Sequence, residues 1–380
     1  MSEHRTVTRR QLLAGSAMAA VGFPLINRAS FAFAAAPDRS YSARAIKLVE
    51  ESLVIDMLAP LSLNLEPTVF DKPFTEAQKA QFRASGITAF HNSYGLGGFS
   101  AKQDAFEYLA AWNGFVGAQA DLFTLVRAAA DLEVAKAAGK IAVIMGIQNA
   151  DQFQAPGDVA LFYRLGLRCA QLTYNSQNFI GSGSTDRVDG GVSDFGAEII
   201  AAMNKAGMLI DVSHCGDRTT LDGIAISAKA IAITHSNCRA ITPHPRAKTD
   251  AAIRALAKKG GVMGITGVRN FVRDRDPTTV AHIVDHIDHV RRIAGIEHVG
   301  IGSDADLNGY DDMDPKQYAE LKAAYKSSYA FRGKLDTDGF DHPRKVFDLT
   351  EELIRRRYSD DNIRLILGGN FRRLLGATWL

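Results

Sequence analysis

Residues 208–214 read MLIDVSH, and residues 230–235 read AIAITH. Each is a short apolar run with a histidine at its end. A parallel strand buried on both faces has this continuous apolar character, and its carboxyl end opens onto the functional face of an α/β barrel. Two adjacent strands that both end in histidine set two imidazoles side by side at that mouth. Imidazole is a common ligand of zinc and similar divalent metals, so the pair reads as half of a metal site. A lone histidine at such a place is more often a hydrogen-bonded structural residue. The matched pair is what points to chemistry.

The same reading extends along the chain. Strands are predicted over 53–56, 87–91, 141–148, 170–174, 208–212, 230–234, 261–266 and 298–302. Helical spacing falls between them, over 43–52, 75–84, 104–138, 158–165, 193–205, 221–227, 250–259 and 278–295. Thr75 with Gln78 three residues later is a capping-box pattern. The stretch 104–138 reads as one helix or as two broken near Gly114 and Gly117, and it stops at Gly139. Eight strands alternating with helices predict an α/β fold, a parallel (β/α)8 barrel of TIM type. Residues 312–341 look like an irregular excursion, and 346–375 supply closing helices. At 380 residues and 46% hydrophobic, the chain has ample core for one such barrel.

The amino terminus reads as an export signal. TRRQLL at 8–13 is a twin-arginine pattern, followed by a weakly apolar stretch to Ile26 and a small-x-small cleavage site, Ala32-Phe33-Ala34. The apolar part is too short for a stable span. This assigns 1–34 to the signal, recognised by the twin-arginine export machinery, and 35–380 to a single barrel domain in the periplasm or otherwise outside the cytoplasm. Residues 1–34 hold four arginines and one glutamate; taking these from 44 and 42 leaves 40 basic and 41 acidic residues. A near-neutral domain without a basic stripe argues against nucleic acid or an anionic membrane as partner. Cys169, Cys215 and Cys238 form no CxxC pair and read as packing thiols.

Chemistry is expected at strand ends, which carry Asp56, His91, Gln148, Tyr174, His214, His235 and Asp304. Arg246 lies on a proline-framed loop, TPHPR at 242–246, which suits bidentate recognition of a carboxylate; a salt-bridged surface arginine is an equal reading. Asp304 follows the eighth strand, where an acid can orient water, grip an ammonium group, or simply cap the next segment. His282, His286 and His289 lie on the helix at 278–295 without an acidic partner at zinc-peptidase spacing, and they read as surface residues.

These residues carry a family resemblance. DVSH at 211–214, THSN at 234–237, Arg246 eleven residues after His235, and VGIGSD at 299–304 resemble the renal or membrane dipeptidases. Those are zinc dipeptidases on a metallo-dependent hydrolase barrel. LTYN at 172–175 and GGVSDFG at 190–196 are similar to further family segments, and the likeness spans most of 50–310. It implies that His214 and His235 hold one metal, that Arg246 binds the substrate carboxylate, and that Asp304 serves near the substrate amine and the attacking water. It also implies a dipeptide-like or other small-molecule substrate and a possible homodimer. Four family positions differ. The first strand's metal-binding His and Asp are Leu58 and Pro60, the bridging glutamate is Gln148, and a substrate-contacting histidine is Tyr174. A neutral amide does not bridge two cations as a carboxylate does, so at most one zinc or similar ion is expected, with Gln148 or Asp304 as weak further ligands. The expected function is therefore hydrolysis of dipeptides or related amides. The alternative is a periplasmic maturation or tailoring enzyme, or a binding protein, that has lost peptidase activity.

Overall fold

The structure is a computed structural model that describes residues 40–63 and 70–379. The export-signal reading of 1–34 lies outside the described residues. Among those described, nine strands form one wholly parallel sheet. They are β1 (Ile55–Asp56), β2 (Ala89–Tyr94), β3 (Phe123–Leu125), β4 (Ile141–Ile147), β5 (Leu167–Gln171), β6 (Leu209–Asp211), β7 (Ala232–Ser236), β8 (Val262–Ile265) and β9 (Val299–Ile301). β1 pairs with β9 on one side and β2 on the other, and β2 pairs with β4 from Ala89↔Ala142 to Tyr94↔Ile147. That last pairing closes an eight-stranded barrel. β3 lies against the first half of β4, and β5 takes the second half.

Helices fill the connections, and their ends follow local chemistry. Thr75 and Gln78 form the expected capping box on Glu76–Ala84. Ser193 caps Asp194–Ala206, which ends at Gly207 in the left-handed conformation (φ 77°). The helix Asn370–Thr378 packs Phe371, Leu374 and Leu375 among residues at the amino ends of the strands, including Ala89, Ala142, Leu209 and Val262. Among the described residues the barrel is thus closed below, and its carboxyl end is free for a ligand. Gly302 lets β9 pass close under β7: a Cβ there would lie 1.9 Å from the Thr234 carbonyl oxygen and 3.1 Å from His235 Cβ.

Several expectations change. The stretch 104–138 is the unbroken helix Ala101–Ala118, then β3, then the helix Asp131–Ala137. Gly114 and Gly117 do not break it, because a Cβ at either would meet nothing within 4 Å and neither is under backbone constraint. The fourth predicted strand, 170–174, begins three residues earlier. Arg168 is tolerated inside β5 because its guanidinium reaches the carbonyls of Arg127 (2.8 Å) and Tyr163 (2.8 Å) and lies over the Tyr163 ring. His91 does not end a strand; β2 runs on to Tyr94. Of the helix histidines, two are not surface residues, and His282 is half-buried. His286 is fully buried, donating from Nε2 to the Val272 carbonyl (2.8 Å) and accepting from Cys238 N (3.1 Å). His289 is buried against Asp250 (2.7 Å), and His282 completes a capping box with Thr279. The three cysteines are buried and free, as packing thiols would be.

Candidate active site

The site is built on the ends of β6 and β7. Asp211, the last residue of β6, is buried and accepts four hydrogen bonds: from N and Oγ of Ser213 (2.9 and 2.5 Å) and from N and Oγ1 of Thr234 (3.0 and 2.7 Å). The Thr234 hydroxyl spends its proton on Asp211, so at 2.8 Å it accepts from His235 Nδ1–H. His214 Nδ1 lies 2.7 Å from the Asn175 side-chain oxygen, which only accepts, so this ring also carries its proton on Nδ1. The same oxygen accepts from the Tyr329 hydroxyl (2.6 Å). Both Nε2 lone pairs therefore point inward, and they face each other at 2.9 Å. Tyr174 stacks on His214 with ring centroids 4.1 Å apart.

Two buried cations lie behind the pair. The Arg246 guanidinium donates to the carbonyls of Ser213 and His235 (3.3 Å for the latter), and its Nε has no hydrogen-bond partner among the described residues. Lys248 Nζ is held by the carbonyls of Val212 (2.7 Å) and Cys215 (2.8 Å) and by Thr220 Oγ1 (2.9 Å). Burial, then the charge of Arg246, hold both imidazoles well below their usual pKa, so they are neutral at neutral pH. Neutral imidazole is the metal-binding form. Burial also brings Lys248 down to about 8.

Across the mouth stands Asp304, in the left-handed region (φ 62°), with its N–H bound to the Leu58 carbonyl at 2.7 Å. Burial pushes its carboxyl up to about 7 against the pull of Arg246, with Asp56 and Asp211 adding to the rise. Asp304, Gln148, Tyr174, His214 and Pro60 line one cleft. Gln148 donates from Nε2 to the Ser93 carbonyl (3.0 Å). His235 and Arg246 sit behind this lining. The cleft's far wall is aromatic and comes mainly from the excursion after β9: Tyr310, Tyr325, Tyr329 and Phe331. Sequence reasoning missed these rings, as it missed Asn175 and Thr234. The signal available was the density of tyrosines in an otherwise polar stretch.

The donor set fits one cation in part. Two lone pairs converge, each fixed by a second residue, as outer hydrogen bonds fix metal-binding histidines elsewhere. Their 2.9 Å separation is somewhat below the about 3.3 Å spanned by two nitrogens bound tetrahedrally to zinc. Among the described residues no three His, Cys, Asp or Glu side chains are grouped to hold a metal. Leu58 and Pro60 are buried and offer no ligand atom from their side chains. A two-ion centre does not fit these residues.

The membrane dipeptidase family (peptidase family M19) matches residues 43–326. Dipeptidase verJ of Clonostachys rogersoniana is 31% identical over 260 residues, covering 68% of this chain and 60% of that protein. An uncharacterised dipeptidase of Schizosaccharomyces pombe is 34% identical over 175 residues, 44% of this chain and 42% of the relative. The chain thus spans about half the length of these curated relatives. Among solved structures, an amidohydrolase from Pseudomonas aeruginosa superposes with a TM-score of 0.77 at 29% identity, covering 88% of this chain and 99% of that one. A metallopeptidase from Rhodobacter sphaeroides, bound to a phosphinate mimic of L-Ala-D-Ala, gives 0.66 at 18% identity over 87% and 100% of the two chains. At that identity the likeness is one of fold.

Proposed function

The chain belongs to the membrane dipeptidase family, and from that premise we propose that it is a hydrolase of dipeptides or related small amides, working with at most one divalent cation, zinc or similar, at His214 and His235. One observation carries the reading: two imidazoles, with tautomers fixed by Asn175 and by the Asp211–Thr234 relay, turn both lone pairs to a single point. A cation bound there supplies Lewis acidity beside the cleft.

The chain's own residues do the rest. Asp304 has an affinity for protons matched to neutral pH, so as carboxylate it takes a proton from water and as acid it returns one to the leaving amine. Tyr174, whose phenol is held well above its usual pKa by burial, stays a hydrogen-bond donor beside His214. Arg246, behind the cleft lining, steadies the two strand ends through the Ser213 and His235 carbonyls. Gln148 orients the mouth through Ser93 and offers its amide oxygen as a weak ligand. The twin-arginine pattern at 8–13 supports export of the protein.

A second reading is favoured by Leu58, Pro60 and Gln148, which replace charged or ligating positions of the family. On it, the barrel keeps the cleft for maturation chemistry or binding and no longer cleaves dipeptides. A panel of dipeptides incubated with the zinc-supplemented protein separates the two. Turnover that disappears in His214→Ala, with the fold intact by circular dichroism, supports the hydrolase. No turnover across the panel, or unchanged turnover in His214→Ala, overturns it.

A further inference from the structure

The cleft carries more information about its ligand than the two histidines do. It is lined by side chains from the strand ends and from the excursion after β9. Asp304 is the only charged side chain among its described lining residues. Facing it is a wall of rings. Tyr325 packs on Tyr329 with centroids 4.6 Å apart and edge-on to Phe331 at 5.3 Å, and Tyr329 packs edge-on to Phe271 at 5.6 Å. Val268, Leu321 and Leu335 fill the gaps. Tyr310, Tyr325 and Phe331 are only half-buried, so their free faces are apolar surface turned to the cleft.

The wall is fixed in place. The Tyr329 hydroxyl donates to Asn175, and its carbonyl accepts from His244 Nε2 (3.0 Å) and Asn270 Nδ2 (2.6 Å). Tyr325 and Tyr174 share a hydrogen bond between their hydroxyls at 3.1 Å. The Leu335 carbonyl accepts from Arg269 N at 2.7 Å, and Asp336 bridges to Val268. A preorganised wall loses little entropy when a ligand packs on it, so it discriminates by shape and apolar area. The wall lies near the acid, since Asp304 and the rings line the same cleft and Asp304 is among the charges that raise the phenols of Tyr174, Tyr310, Tyr325 and Tyr329. An ammonium group is the natural partner of a lone carboxylate flanked by ring faces.

We infer that the cleft selects ligands with a free amino terminus whose first residue carries a large aromatic or branched apolar side chain, the amine at Asp304 and the side chain against Tyr310, Tyr325 and Phe331. The inference rests on the dipeptidase-like reading for the class of ligand. It excludes glycine and alanine as favoured first residues, because they leave the rings in water.

The test uses the full mature chain with zinc and two readouts. One is kcat/KM for Phe-Ala, Leu-Ala, Ala-Ala and Gly-Ala. The other is calorimetric binding of two non-hydrolysable phosphinate dipeptide analogues, with a Phe or an Ala side chain in the first position. The expected preference is about 100-fold or more for Phe over Gly or Ala in either readout, and Phe331→Ala should lower kcat/KM for Phe-Ala at least about tenfold more than for Ala-Ala. Phe331→Leu, which keeps an apolar filler, gives the same comparison if Phe331→Ala does not fold. Equal or better handling of Gly-Ala and Ala-Ala overturns the inference and leaves the hydrolase standing. Tight binding of the Phe analogue without turnover of any dipeptide supports the inference and overturns the hydrolase. Binding of neither analogue overturns the inference.

Discussion

Replacing Gly146 with alanine tests how the floor beneath the paired histidines His214 and His235 is built. A Cβ on Gly146 would lie 1.9 Å from His91 Nε2, 2.8 Å from Cδ2 and 3.0 Å from Cε1. Ordinary contact distances are about 3.5 Å or more, so something must move by about 1.5 Å. The His91 ring has little freedom to retreat, because its Nδ1 is tied to the Met57 carbonyl at 2.6 Å and the whole ring is buried. Overpacking of this kind costs about 1–3 kcal/mol. Pulling the ring off the Met57 carbonyl adds about 1–3 kcal/mol for a buried acceptor left unpaired. Gly146→Ala should therefore destabilise by about 4 kcal/mol, midway in the summed range. His91→Ala alone should cost about 2 kcal/mol through the cavity it leaves, the loss softened because its Nε2 has no partner among the described residues. In the double variant the new methyl enters the space the ring vacated. The combined loss should be about 2–3 kcal/mol, well short of the sum of the single losses. Urea midpoints at constant m-value measure all three variants. Additivity within about 0.5 kcal/mol would refute the reasoning, since it would mean that His91 does not lie against Gly146.

Three further outcomes follow from the site. Lys248→Met strips a cation from the Val212 and Cys215 carbonyls and should destabilise by about 2 kcal/mol at pH 7. Because Lys248 falls from 10.5 to about 8 on folding, the unfolded chain binds more protons between those values, so this lysine's contribution to stability grows by up to about 3 kcal/mol as pH rises from 8 to 10.5. The gap between wild-type and Lys248→Met midpoints should widen over that range, and a constant gap would contradict the burial of its charge. Asp304 at about 7 predicts that kcat/KM rises with pH through 7, and that Asp304→Asn lowers it about 100-fold or more and abolishes the limb; a flat profile from pH 5.5 to 8 would contradict its role as base. Thr234→Val keeps the shape but cuts the relay from Asp211 to His235, so zinc affinity should fall about 10–100-fold in a competition titration, and an unchanged affinity would refute the tautomer argument.

Much of the barrel is written in local sequence. β4 and the end of β6 are legible because strands buried on both faces need apolar residues at every position, which leaves a run that no amphipathic helix has. β3 is hidden because its three residues sit inside a longer helical period, and their strand state comes from pairing with β4. β5 is displaced in the reading because Arg168 looks like a surface residue until its carbonyl acceptors are seen. His286 reads the same way; only the fold brings Val272 and Cys238 to its two nitrogens.

The candidate site divides along similar lines. His214 and His235 are legible as a pair because adjacent parallel strands place their carboxyl ends together. What fixes their tautomers is not, since Asn175 and Tyr329 lie 39 residues before and 115 residues after His214 and meet it only in space. The aromatic wall has no period to betray it: its rings come from a turn, a helix end and a loop that share only the cleft they face.

Zinc content per chain, by elemental analysis of protein purified folded and without chelator, bears most directly on the central claim. About one zinc per chain in the wild type and none in His214→Ala is the expected result, with uptake rising towards two when Leu58→His, Pro60→Asp and Gln148→Glu are combined. Two ions in the wild type, none at all, or zinc retained in His214→Ala would contradict a single-cation site at His214 and His235.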